Sequence, residues 1–121
     1  MKKAFYSIVQ YCPDRFRAEV VNVGLVLLCP ETKKIRVQMT NDFRRARRFF
    51  RKTNAGIDHL KLSLDSMKNR IDNSNADLNT YIGLMVFAGT RANDLHMTEP
   101  RLIKVKNLDA DFDSLYDQLV E

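Results

Sequence analysis

The hydrophobic pattern changes period part-way along the chain. Residues 4–12 (AFYSIVQYC) are rich in aromatic and β-branched types, which suit a pleated surface. They predict a strand that Pro13-Asp14 ends. Residues 19–29 (EVVNVGLVLLC) are almost all apolar, the mark of a central strand covered on both faces. Gly24 inside that run predicts a bulge or a close backbone approach. Pro30-Glu31-Thr32-Lys33 reads as a turn. Ile35, Val37 and Met39 then alternate with Arg36 and Gln38, giving a half-buried strand that forms an antiparallel hairpin with its predecessor.

From there the spacing becomes helical. Asn41 or Asp42 caps a short predicted helix over residues 42–52. Asn54 caps a second, whose apolar stripe is Ile57, Leu60, Leu64, Met67 and Ile71, with Lys61, Asp65, Lys68 and Arg70 outward. Residues 77–88 (DLNTYIGLMVFA) are apolar all round in their second half, which suits a buried helix or a strand. Helix is preferred, with Asn75 or Asp77 as its cap. Residues 95–98 and 101–106 read as extended, interrupted by Pro100. A last helix is predicted from Asp109, with Phe112, Leu115, Tyr116 and Leu119 as its buried stripe. Strands cluster first and helices follow. That order predicts one α+β domain over residues 1–121: an antiparallel sheet of three to five strands with three or four helices packed mainly on one face.

Charge sharpens this picture at one place. Residues 42–52 hold Arg44, Arg45, Arg47, Arg48, Arg51 and Lys52 against the single acid Asp42, a local +5 that equals the charge of the whole chain. On a wheel of about 100° per residue, Phe43, Ala46, Phe49 and Phe50 gather on one side and the six cations on the other. Arginine predominates, and guanidinium grips phosphate or carboxylate as a planar fork. Two readings follow: a solvated face with local ion pairs, or a surface for nucleic acid or an acidic partner. Residues 109–121 are the counterweight, with Asp109, Asp111, Asp113, Asp117 and Glu121 and no cation.

Catalytic constellations are sparse. His59 and His96 lack any zinc-ligand spacing, and the four glycines form no phosphate-cradling loop. No metal or cofactor is expected. No apolar run is long enough to span a bilayer, and no signal peptide is expected. With Cys12 and Cys29 lacking an export signal, the expectation is a cytoplasmic protein with reduced, buried thiols. One polar island stands out. Asn22 sits between Val21 and Val23, where a buried amide must find partners. It either braces a strand irregularity beside Gly24 or orients a ligand. Arg17 and Glu19 lead into that strand, and Thr98-Glu99-Pro100-Arg101 ends another. If those strands adjoin, Arg17, Glu19, Asn22, Glu99 and Arg101 line a small polar pocket at one sheet end, the basis of a weaker, enzymatic reading.

Two stretches carry a family resemblance. The first is Tyr6-Ser7-Ile8-Val9-Gln10-Tyr11-Cys12-Pro13-Asp14, followed by Arg17-Ala18-Glu19-Val20-Val21-Asn22-Val23-Gly24-Leu25-Val26-Leu27. The second is Thr98-Glu99-Pro100-Arg101 before Leu102-Ile103-Lys104-Val105 and the acidic terminal helix. Together they resemble the bacterial domain-of-unknown-function family 3037 (DUF3037), with Asn22-Val23-Gly24 as the most specific segment. The resemblance implies a small cytosolic protein that partners a HipA-like kinase, and it implies no catalytic residue. The leading expectation is therefore a non-enzymatic protein-binding or regulatory module, with nucleic-acid binding through residues 44–52 as the alternative.

The alternative makes a direct prediction. If the six cations meet phosphates, affinity for labelled nucleic acid falls with salt at a log–log slope of roughly −4 to −6, and Arg44/Arg48/Arg51→Glu abolishes it. Anisotropy across a salt series checks this. Weak binding that vanishes by about 150 mM salt leaves the arginine face solvated or docked on protein.

Overall fold

The computed structural model describes residues 1–14, 19–41, 43, 55–73, 80–89 and 95–120. Its elements run β1 (Lys2–Asp14), β2 (Glu19–Cys29), β3 (Lys34–Met39), α1 (Ala55–Asn73), α2 (Tyr81–Ala88), β4 (Leu95–Met97), β5 (Arg101–Val105) and α3 (Leu108–Leu119). All pairings are antiparallel. The order is β3-β2-β1-β4, and β5 also pairs with β1. This is the α+β arrangement expected from the chain order of the elements, with five strands and, among the described residues, three helices.

β1 is the organising strand. Along one edge it pairs with β2 from Phe5 to Asp14. Along the other it pairs with β5 over Lys2 to Tyr6 and with β4 over Val9 to Tyr11. Pro100 has no N–H to give a ladder, so the two short strands cannot be one. Thr98 covers the gap. Its N–H donates to the Ile8 carbonyl at 2.9 Å, and its Oγ1 accepts from the Ile8 N–H at 2.9 Å. The Ser7 hydroxyl, fully buried, donates to the Thr98 carbonyl. The backbone of β1 thus stays satisfied where no strand lies beside it.

The sheet divides the apolar residues into two cores. On one face Val9, Tyr11, Val21, Val23, Val26, Leu28, Leu95 and Met97 meet α1, α2 and Phe43. On the other Ala4, Leu25, Leu27 and Val105 meet Phe112, Tyr116 and Val120 of the α3 region. Of the predicted stripe of α1, Leu60, Leu64, Met67 and Ile71 are buried, each worth about 1.5–3 kcal/mol of transfer free energy, and the Ile57 side chain lies outside the described residues. Its expected cap, Asn54, lies outside the described residues. So does the helix expected over residues 42–52, apart from Phe43. Helix α3 begins at Leu108, one residue before the sequence pattern placed it, because Asn107 is the cap: its Oδ1 accepts from the Ala110 N–H at 3.1 Å. Asp111 reaches back to accept from the Lys106 N–H at 2.8 Å and from the Asn107 N–H at 3.3 Å, which adds a carboxylate to the helix start. Residues 77–79 of the third predicted helix lie outside the described residues, and the described helix α2 is capped by Thr80, whose Oγ1 accepts from Gly83 at 3.1 Å.

β2 carries the irregularity that Gly24 announced. Val9 pairs with Gly24, but Gln10 pairs with Asn22, so Val23 is an extra residue in the ladder. The bulge switches the side-chain parity. Leu25 and Leu27 face α3, whereas Val21 and Val23 face the α1–α2 core. The backbone here also lies close to its neighbours. A Cβ on Gly24 would stand 2.4 Å from Met39 Sδ, 3.1 Å from the Gln38 carbonyl oxygen and 3.2 Å from Val9 Cβ. The thioether can swing away, but the strand carbonyl cannot. Gly24→Ala is therefore expected to cost about 1–3 kcal/mol by overpacking. Chemical denaturation measures it, and an unchanged midpoint would refute the close-approach account.

Candidate functional site

The bulge turns Asn22 toward α3, onto the same face as Gln10 and His96. Those three residues stand side by side on β2, β1 and β4, since Gln10 is the register partner of both others. Their side chains form one directional chain. His96 Nε2 donates to Gln10 Oε1 at 2.9 Å, Gln10 Nε2 donates to Asn22 Oδ1 at 3.0 Å, and Asn22 Nδ2 donates to the Leu119 carbonyl at 2.9 Å. The direction follows from the far end: a carbonyl only accepts, so each amide must present its oxygen toward His96, and the imidazole carries its proton on Nε2. The chain ends on an orphan carbonyl of the last helical turn, a group that a helix cannot satisfy by itself. Asn22 thus ties α3 down across three strands. Every described buried side-chain nitrogen or oxygen has a partner.

The predicted polar pocket is not assembled around this chain. Arg17 lies outside the described residues, as does the side chain of Glu19. The Glu19 backbone pairs with Asp14 at one end of β1. Arg101 pairs with Tyr6 on the opposite edge of β1. Tyr6 and Asp14 are eight positions apart, roughly 25 Å along an extended strand. Arg101 and Glu99 are both exposed. The strands do adjoin through β1, but in a register that keeps Glu19 and Arg101 apart. No cluster of three or more metal-ligating side chains occurs among the described residues.

The arginine-rich segment, with Arg44, Arg45, Arg47, Arg48, Arg51 and Lys52, lies outside the described residues. Its leading neighbour does not. Phe43 is buried in the α1–α2 core, and the Lys61 ammonium sits 5.5 Å above its ring. A cavity of about 340 Å³ adjoins it, lined in part by Asn41, Lys61 and Asp65.

A different surface was missed by the pattern reading. Helix α2 carries no charged residue, and only Leu84 and Ala88 are buried. Ile82, Met85 and Val86 point outward with 68%, 39% and 65% of their surface exposed. The sequence did hold a signal: a helix with no polar side is either enclosed or waiting to be covered. The sheet continues this surface. Tyr81, at the start of α2, lies 4.6 Å from Phe5, ring centroid to centroid. Phe5 stands opposite Leu102 on β5, which is 55% exposed.

The sequence profile described as Protein of unknown function (DUF3037) matches residues 6–120. The chain belongs to the DUF3037 family. No curated protein and no solved structure matches it. The DUF3037 match takes in β2, β3, β4, β5 and all three described helices, so the bulge, the His96–Gln10–Asn22 chain and the α2 surface all lie within the DUF3037 span.

Removing the central tie exposes its worth. Asn22→Ala strands the Leu119 carbonyl and one Gln10 donor, at an expected cost of about 1–3 kcal/mol. Hydrogen exchange should quicken selectively in the last turn of α3, where the Val120 N–H donates to Tyr116 at 2.8 Å. Uniform loss of protection across the chain would argue that Asn22 supports the sheet and not the helix.

Proposed function

We propose that this DUF3037 chain is a non-enzymatic, cytoplasmic protein-binding or regulatory accessory module, and that α2 is its docking element. A kinase of the HipA-like kind is the partner class that the family resemblance implies. The observation that carries the reading is the outward stripe of Ile82, Met85 and Val86 on a helix without charge. Scattered exposed apolar residues are ordinary, but here three share one helix face, and Tyr81 of the same helix packs on Phe5, opposite the exposed Leu102. Each such side chain forgoes a sizeable part of the ~1.5–3 kcal/mol that full burial returns. A covering partner recovers it. The polar chain through Asn22 supports the same reading, since its groups are engaged in bracing and offer no nucleophile or acid–base pair. The charge concentration at residues 44–52 favours the second reading, nucleic-acid binding, and the salt series given above decides it.

Site-specific photocrosslinking tests the proposal. A crosslinker at Ile82 should yield a protein adduct of discrete mass in cells, and one at the exposed Asp113 of α3 should not. Val86→Asp should abolish the adduct while changing stability by less than about 0.5 kcal/mol, as expected of an exposed position. Equal adducts from both faces, or an adduct with nucleic acid, would sink the α2 reading.

A further inference from the structure

One pair of charges beside α2 is unexplained by the fold. Lys3 and Lys104 are direct register partners on β1 and β5, and both are exposed. Cross-strand partners hold their Cβ atoms about 4.5–5.5 Å apart, and like charges so placed oppose pairing. Lys104 lines a cavity with Asp111, but no ion pair joins the two. Among the described residues the ion pair within reach joins Arg36 to Asp109, and Arg36 also lies over Phe112 on the opposite face of the sheet. Neither Lys3 nor Lys104 has an acidic partner among the described residues.

The two lysines belong to the α2 surface. Side chains two positions apart in a strand share a face. Lys3 and Lys104 therefore stand beside Phe5 and Leu102, on the face covered by α1 and α2. Phe5 meets Tyr81, and the stripe of Ile82, Met85 and Val86 follows along α2. The surface is thus apolar along its length and cationic at one end. Outward positions spaced by three and four make the ridge that packs into the groove of another helix.

We propose that the α2–β5 surface binds an amphipathic helix whose apolar stripe lies on Ile82, Met85 and Val86 and whose acidic flank neutralises Lys3 and Lys104. This rests on the protein-docking reading of α2 and adds the partner's chemistry. The helix supplies the carboxylates that the Lys3–Lys104 pair lacks. Acidic complementarity selects among apolar partners, which a charge-free α2 cannot do alone.

Two labelled helical peptides of about 18 residues, five turns, serve as probes. Both carry leucines at three-and-four spacing; one has glutamates at the flanking positions and the other lysines. Anisotropy at low salt should show the glutamate peptide binding at least about tenfold more tightly. Lys3→Glu/Lys104→Glu should reverse that preference. Lys104→Glu alone creates an opposite-charge cross-strand pair, so it should hold or raise the melting temperature while weakening the glutamate peptide. That separates a binding role from misfolding. Equal affinity for both peptides in the native chain would overturn the proposal. If Val86→Asp abolishes binding and the charge variants change nothing, the acidic specificity is overturned and α2 stands as a docking helix. If neither set matters, both readings fall. Binding to phosphatidylglycerol vesicles but not to the glutamate peptide would reassign the surface to a membrane. A dimer in sedimentation velocity, lost on Val86→Asp, would reassign it to a second copy of the chain.

Discussion

A strand that is hydrogen-bonded along both edges fixes everything else in this molecule. β1 runs for 13 residues with β2 on one side and β5, Thr98 and β4 in turn on the other. Buried backbone groups must be paired, so neither edge can be left to solvent where helices cover the sheet. The Thr98 bridge is the detail that makes this possible with Pro100 nearby. With β1 held, its alternation decides which side chains reach each face. Val9 and Tyr11 go to the α1–α2 core, while Ala4, Tyr6 and Ile8 go to α3.

The bulge at Val23 is a departure from that alternation, and it separates what the sequence discloses from what it hides. Gly24 in an apolar run pointed to it, and Asn22 between two valines pointed to a polar need. Those signals are local, so they could be read. The stripe of α1 was legible for the same reason. The register of β5 was not, because a pairing between Tyr6 and Arg101 has no trace in either segment alone. The supposed pocket of Glu19, Asn22 and Arg101 rested on strands adjoining, which they do through β1, but in a register that separates those residues. The Lys3–Lys104 opposition was equally invisible before the register was known. Helix α2 was legible as apolar, but an all-apolar stretch does not say how deeply it is enclosed.

The two faces of the sheet carry different chemistry. Helix α3 presents exposed Asp109, Asp113 and Asp117 and is fastened by Arg36 and by Asn22. The opposite face presents lysines and an uncharged, uncovered helix. On the α3 face Arg36 pairs with Asp109 and Asn22 ties the last helical turn. The other carries the Lys3–Lys104 opposition and the exposed stripe of Ile82, Met85 and Val86. A binding role placed there disturbs none of the interactions that hold the fold together.

The bridge between Ser7 and Thr98 also has a meaning in time. Its two residues are 91 positions apart. The central strand is made early and completed late, because its second edge waits for nearly the whole chain. Closing so long a loop costs entropy before any contact repays it, and sheets built on distant pairings fold slowly. During that interval β1 offers a row of unpaired amides and carbonyls flanked by Phe5, Val9 and Tyr11. The nascent protein is therefore most prone to mispairing before β4 and β5 arrive, and the speed of their arrival governs how much of it reaches the native state.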